Sequence, residues 1–520
     1  MPERLSSLDV SFLYLEEPTT AMHVGSVMLF QQPEDGLDLS RLLRHVEARI
    51  ALVPRYRQRL RQVPGHLANP VWVDHERFDI TEHVRSMSLP RPGTMTQLEE
   101  LVARLQARRL DRDRPLWELA VVDGLCGDRF AVVTKVHQAM VDGIRAVDLG
   151  QVVLDEESLR DRTPPAQIWR PAPEPTAVEL LVSAVTDSVR RPRQVLETLR
   201  AGFGDVRATT GKLAEALGGL AVAARTATSP TPRSPLNREV SSSRRFAVVD
   251  TGLEDYRRIR AHYRAARTRG DGPAAAARGP GGRDGPREDL AAGVGDVMLA
   301  VLAGALRSWL LARGEPVGPS STIRALVPVS VHDTHPTGSG AAGSRVASLL
   351  IDLPTGEPSP LMRLHHVAWQ TRAHREQGHA VDAPAIAGMA GFAPPTLHSL
   401  GARVASGFSR HLFNLIVTNV PGPQLPLYLT GDRMLASYPV IPLARSQALA
   451  VGLTSYDGGV YYGLNADRHA LPDLGTLAAC VRDSLGELRE ASVRPAGGPR
   501  GPARRTDRAG RRRQDDGQED

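Results

Sequence analysis

Lys135-Val136-His137-Gln138-Ala139-Met140-Val141-Asp142-Gly143 is the stretch whose reading decides the fold. A run of apolar and β-branched residues from Phe130 leads into it, and Val147, Leu149 and Val152 leave it at helical spacing. The pattern predicts a strand over 130–136, a polar turn, and a helix. Side chains at a strand end leave the sheet and meet the crevice beside it, a favoured place for a site. The same residues also suit a plain strand–turn–helix, with Asp142 capping the helix and Gly143 permitting the turn. Spacing alone leaves both readings open.

Working upstream, Trp117–Val122 forms a second short strand, joined to the first through Asp123-Gly124 and Gly127-Asp128. Leu39, Leu42, Leu43, Val46 and Ile50 recur at helical spacing, and Pro54 closes that helix. Thr96 with Glu99 reads as a capping box before Leu98, Leu101, Val102 and Leu105. Downstream, residues 157–175 are Pro-rich and polar, 177–225 are rich in Ala, Leu and Arg with no strand signal, and 226–236 form a second break. These stretches predict a helical linker over 157–236. Beyond it, strands are expected over 245–249, 323–329, 346–353, 413–419, 448–455 and 460–464. Helices are expected over 253–264, 294–313, 358–377 and 474–487. Mixed strands and helices on both sides of the linker give an α/β (α+β) class with two lobes, 1–156 and 237–488.

The chain has 520 residues, too many for one hydrophobic core, and hydrophobic residues make up 41% of it. Its net charge of +6 invites a nucleic-acid reading, but the excess sits in two segments. Residues 264–289 and 491–520 are Gly-, Pro-, Ala- and Arg-rich and cannot bury enough apolar surface to offset chain entropy. They read as a disordered insertion and a disordered tail, the latter placed from 489. A nucleic-acid module carries its basic stripe on structure with interleaved aromatics, and aromatics are 4% here. No nucleic-acid partner is expected. Cys126 and Cys480 build neither a disulfide framework nor a zinc site. The N-terminus lacks a secretory pattern, and the apolar run from Val297 to Leu306 is broken by Arg307. These features lead to the expectation of a soluble or peripherally bound intracellular protein.

The motifs, taken together, are recognisable. His137-Gln138-Ala139-Met140-Val141-Asp142-Gly143 resembles the HHxxxDG motif of the CoA-dependent acyltransferase superfamily. Its flanks are similar to those of the bacterial wax ester synthase/diacylglycerol acyltransferase family. Pro115-Leu116-Trp117-Glu118 resembles that family's PLWE block and Met22-His23-Val24-Gly25 its MHVG. Asn419-Val420-Pro421-Gly422-Pro423 resembles its NVPGP and Ser455-Tyr456-Asp457-Gly458 its SYDG. Pro235-Leu236-Asn237 with Arg244-Arg245 matches the start of its second lobe. The resemblance runs from about residue 5 to 488 without the insertion. It implies two chloramphenicol-acetyltransferase-like lobes joined by a helical linker, with a tunnel between them. It also implies transfer of a fatty acyl group from acyl-CoA to diacylglycerol or a long-chain alcohol, at a membrane or lipid-inclusion surface. No bound cofactor or metal is expected, since CoA arrives with the acyl substrate.

In the resemblance the second His of HHxxxDG is the general base and the Asp organises the site. Here His137 takes the first position and Gln138 the base position, followed by Asp142 and Gly143. A neutral amide has no useful proton affinity near neutral pH. Adjacent side chains in an extended segment face opposite ways, so His137 is expected to point away from the place Gln138 serves. Pro115, Leu116 and Trp117 are expected to support the tunnel side. Other polar family positions have drifted: an Asn-Asp pair reads Gly295-Asp296, Pro-Val-Ser-x-Arg ends at His332, and a Gly-Asn reads Gly343-Ser344. Two readings follow: an O-acyltransferase impaired by Gln138, or a non-catalytic homologue that binds acyl-CoA or neutral lipid. His365-His366, Ser455 and Asp457 read first as surface and turn residues.

Overall fold

In the computed structural model the described residues are 3–66, 68–141, 149–158, 169–190, 231–268, 292–331, 345–376, 381–382 and 412–493. The first lobe opens with α1 (Ser7–Leu15), capped by Ser6 and Asp9, then β1 (His23–Gln31) and α2 (Leu39–Ile50). A small hairpin follows, β2 (Gln58–Arg61) with β3 (Val71–Asp74), then β4 (Val84–Ser88) and α3 (Met95–Ala107). The motif hairpin is β5 (Trp117–Leu125) and β6 (Arg129–His137), followed by short helices α4 (Gln138–Val141) and α5 (Leu149–Val153). The helix predicted at 39–50 and the strand pair are present. The capping box is not where Thr96 and Glu99 place it. Thr94 caps α3 with Gln97, and Glu99 instead reaches the other lobe.

Of the linker stretch, α6 (Ala177–Arg190) is described, and 191–230 lie outside the described residues. The second lobe carries β7 (Arg244–Gly252), α7 (Leu253–Thr268), α8 (Val294–Ala312), β8 (Ile323–Val331), β9 (Arg345–Leu353), α9 (Pro360–Glu376) and β10 (Val381–Asp382). It continues with β11 (Leu415–Pro421), β12 (Tyr428–Leu429), β13 (Asp432–Val440), β14 (Leu449–Tyr456), β15 (Gly459–Asp467) and α10 (Leu474–Val493). The last helix runs five residues past 488, because Leu485 and Leu488 bury its inner face and Arg489 meets Asp255 at 3.8 Å. Most of the insertion (269–291) and the tail from 494 lie outside the described residues. Helix α8 is long and apolar enough to cross a membrane, but it is mostly buried in this lobe's core.

Two mixed sheets organise the chain, in the orders β12-β13-β1-β6-β5-β4 and β10-β9-β8-β11-β14-β15-β7. Each has its own core. Strand β13 was not anticipated. It lies between β11 and β14 in sequence yet pairs antiparallel with β1, from Gly25 opposite Val440 to Phe30 opposite Met434. Its burial alternates strictly, with Met434, Ala436, Tyr438 and Val440 packed into the first lobe's core.

Strand β7 shows the same coupling from the other side. Ala247 and Val249 face the second core, whereas Phe246 and Val248 enter the first. Period-two alternation thus divides one strand between two cores. The Val248 N–H donates to Glu99 Oε1 at 2.9 Å. Where β13 crosses β15, a Cβ on Gly463 would stand 1.8 Å from the Pro439 carbonyl oxygen, so only glycine lets the strands approach this closely.

Candidate active site

The motif begins at the end of β6, where pairing with β1 sets His137 directly opposite His23. Gly25 lets the two strands close up, since a Cβ there would lie 2.0 Å from the Thr134 carbonyl oxygen. The His137 N–H donates to the Leu116 carbonyl oxygen at 2.9 Å, so the PLWE block holds the motif strand by its backbone. Leu116 and Trp117 have no exposed surface, and Pro115 is buried beside them. The Trp117 indole donates to the Tyr56 carbonyl oxygen at 2.8 Å and stacks on His83, with centroids 4.6 Å apart. These three residues back the motif strand from inside the core.

His137 is fully buried. Its Nδ1 accepts the Ala139 N–H at 3.0 Å, so the neutral ring carries its proton on Nε2. That Nε2 lies 3.8 Å from Glu16 Oε2, a charge contact beyond hydrogen-bond reach. Burial, countered in part by the Glu16 charge, pushes the His137 imidazole down to about 3. Neither ring nitrogen offers a lone pair to solvent. The ring is buried at the last residue of β6, and the extended segment that the alternation argument assumed stops there because Gln138 opens α4. Gln138 opens α4, with its N–H donating to the Met22 carbonyl oxygen at 2.9 Å and its side chain partly exposed. Asp142 and Gly143 lie outside the described residues.

The sequence did not single out the carboxylate beneath this motif. Glu16, just beyond α1, is 1% exposed in its side chain and receives His23 Nε2 at 3.1 Å on Oε1. Its Oε2 accepts Arg112 Nη2 at 2.8 Å and Nε at 3.2 Å. Burial alone would raise this carboxyl, but the His23 hydrogen bond, the neighbouring imidazoles and Arg112 outweigh it and hold the group at about 2. Burial likewise lowers His23. A single acid after an apolar helix carries no recognisable pattern; the nearest signal was His23 in MHVG.

In the second lobe the NVPGP and SYDG segments pack together. The Gly422 N–H donates to the Ser455 carbonyl oxygen, and Gln424 bonds both Ser455 and the Gly458 N–H. Asp457 and Gly458 both have positive φ and form the two-residue hairpin turn that the twist of β14 and β15 demands. Asp296 caps the start of α8 by accepting the Gly293 N–H at 2.7 Å. Gly295 sits beside Asn419, whose Nδ2 would be 3.2 Å from an added Cβ. The structure therefore brings the drifted Asn-Asp position against NVPGP. His332, Gly343 and Ser344 lie outside the described residues. His365 Nδ1 pairs with the Tyr263 hydroxyl at 2.9 Å, and among the described residues no three His, Cys, Asp or Glu side chains gather as a metal site.

Comparison with known proteins decides what this frame is. The family model described as the wax ester synthase/diacylglycerol acyltransferase catalytic domain matches residues 5–266, and that of the family's C-terminal domain matches 342–489. The chain belongs to this family. It is 30% identical over 499 residues to the probable diacylglycerol O-acyltransferase tgs1 of Mycobacterium tuberculosis, covering 94% of this chain and 96% of that one. It is 44% identical to the probable diacylglycerol O-acyltransferase tgs3 of the same species over 267 residues, 51% of this chain and 97% of that one. The solved wax ester synthase/diacylglycerol acyltransferase of Marinobacter aquaeolei VT8 superposes with a TM-score of 0.64 at 26% identity, covering 94% of this chain and 99% of that one. A starter condensation domain of rhizomide synthetase, solved with C8-CoA, shares the fold at 12% identity with a TM-score of 0.52, covering 95% of each chain. The α/β class and the two acyltransferase-like lobes are those of this family.

Proposed function

We propose that this acyltransferase-family chain moves a fatty acyl group from acyl-CoA to the hydroxyl of diacylglycerol, making triacylglycerol, or of a long-chain alcohol, making a wax ester. In the proposed step the acceptor oxygen bonds the thioester carbonyl carbon, the C–S bond breaks, and the hydroxyl proton ends on the CoA sulfur. The observation that carries the mechanistic reading is the pair at 137–138. Gln138 stands at the base position and only donates and accepts hydrogen bonds there. His137, with Nδ1 engaged by Ala139 and Nε2 aimed at Glu16, has no free lone pair to take the proton.

The proposed role of Gln138 is to orient the acceptor hydroxyl, with turnover slowed by the missing base. General-base assistance is worth ~10²–10⁴ in rate. Asp142 and Gly143 are assigned the motif's organising role, and Pro115, Leu116 and Trp117 fix the motif strand from behind. Lipid acceptors and products place the protein at a membrane or lipid-inclusion surface on the cytoplasmic side in this reading. The same pair favours a second reading, a homologue that binds acyl-CoA or neutral lipid without turnover.

Release of CoA from palmitoyl-CoA, with diacylglycerol or hexadecanol as acceptor, tests both. Slow release by the natural chain, raised strongly by Gln138→His, supports the impaired transferase. Release only from Gln138→His, with equilibrium binding of palmitoyl-CoA by the natural chain, supports the binder. Release by the natural chain that His137→Ala abolishes, with the fold intact, overturns the assignment of position 138.

A further inference from the structure

Two backbone amides frame residue 138, and Glu16 lies beside the residue that accepts each. The Gln138 N–H donates to the Met22 carbonyl oxygen at 2.9 Å, and the Met22 N–H is directed at Glu16 Oε1 at 3.4 Å. The Ala139 N–H donates to His137 Nδ1 at 3.0 Å, and the same ring turns Nε2 toward Glu16 Oε2 at 3.8 Å. The two carboxylate oxygens thus serve the two sides of the turn that presents residue 138. His23, opposite His137 in the β1–β6 ladder, locks Oε1, and Arg112 locks Oε2 while also binding the Leu13 carbonyl oxygen at the end of α1.

A buried carboxylate is costly unless its lone pairs are satisfied, and here each oxygen has a charged or polar partner. Such a group is an expensive way to fill a core. Its contacts converge on the entry to α4 from α1, β1, β6 and the loop that carries Arg112. The ring tautomer follows from the same geometry. An N–H can only donate, so Nδ1 must be bare, and the proton on Nε2 is favoured by the negative charge it faces. A proton moved to Nδ1 would oppose the Ala139 N–H and release that side of the turn.

We infer that Glu16 is a positioning residue of the acyl-transfer site, orienting the side chain at 138 through the His137 ring and the backbone on either side of the Met22 Cα. The inference rests on the acyl-transfer reading for its kinetic consequence, but not for its structural one.

The test uses the full chain with ¹⁵N-labelled histidine, and a long-range ¹H–¹⁵N correlation assigns each ring tautomer. His137 is identified by the signal lost in His137→Asn. The expected result is a pure Nε2–H tautomer for His137 in the natural chain and a mixture in Glu16→Gln. Arg112→Gln, at a side chain already 41% exposed and so compatible with folding, should shift the mixture the same way by less. In a Gln138→His background, Glu16→Gln should lower kcat for CoA release from palmitoyl-CoA by about tenfold or more with KM changed less than about twofold, as a displaced reacting group does. A His137 tautomer unchanged in both variants, or a kcat unchanged by Glu16→Gln in an active background, overturns the inference. Absence of CoA release from every variant would sink the acyl-transfer reading instead, leaving the tautomer result to decide the role of Glu16.

Discussion

The two regions of the molecule that carry family motifs are built on opposite principles. At the end of β6 in the first lobe, Glu16, His23 and His137 are interlocked out of contact with water. In the second lobe NVPGP lies largely at the surface and SYDG runs from buried Ser455 and Tyr456 to the exposed turn at Gly458, and their polar residues make turns and backbone contacts. The first arrangement fixes the angle of one peptide turn through buried charge. The second fixes the ends of β11 and β14 through backbone geometry. Buried ionisable groups make the first region sensitive to charge and pH, whereas the second should respond mainly to chain conformation.

The contrast can be broken or sharpened by four measurements, in falling order of expected effect. Gln138→His should raise CoA release from palmitoyl-CoA by ~10²–10⁴-fold if the first region is otherwise intact. A change within twofold would mean that the turn framing residue 138 is not a base-presenting device. Gly463→Ala forces a methyl group against the Pro439 carbonyl oxygen, where the sheets cross. It should cost about 3 kcal/mol in chemical denaturation. An unchanged midpoint would show that β13 moves freely over β15.

The third measurement is acid titration of stability. His137 sits near 3 when folded against an ordinary value of 6.5, and His23 is also lowered. Between those values the unfolded chain binds the proton and the folded chain does not, so stability falls as pH drops from about 6.5 toward 3. The His137 share is at most ~1.4 kcal/mol per pH unit. Glu16, lowered to about 2 from 4.5, adds a loss of the same sign below about pH 4.5. Urea midpoints of the natural chain and of His137→Asn, followed from pH 7 to 5, should show a shallower slope in the variant. Parallel slopes would remove His137 from the account.

The smallest effect belongs to the second region. Gly458 holds φ at 78° with open space around it, so Gly458→Ala should cost about 1 kcal/mol through backbone strain alone. It should leave the rate of CoA release as it was. A rate change there would mean that the SYDG turn belongs to the reacting site after all.

Much of the frame was legible. Helices at 39–50, 253–268, 294–312, 360–376 and 474–493 stand where helices were expected, with 39–50 strongly amphipathic and 360–376 almost without a helical hydrophobic period. The capping box was misread because Thr94-Gln97 and Thr96-Glu99 carry the same signature. Only packing shows that Glu99 is spent on Val248. Strand β13 was not anticipated, although its nine residues alternate between buried and more exposed positions throughout. The pairing of that strand with β1 has no local signal at all.

The site divides in the same way. Sequence alone carried the family motifs, with Gln138 where the resemblance sets a histidine, because residue identity and spacing are properties of the chain. Only the tertiary structure decided that Glu16 lies beneath His137, that β13 leaves its own lobe, and that Trp117 is enclosed. Those facts depend on which distant segments share a core, and the burial that brings them together is non-directional and leaves no periodic mark in the residues it joins.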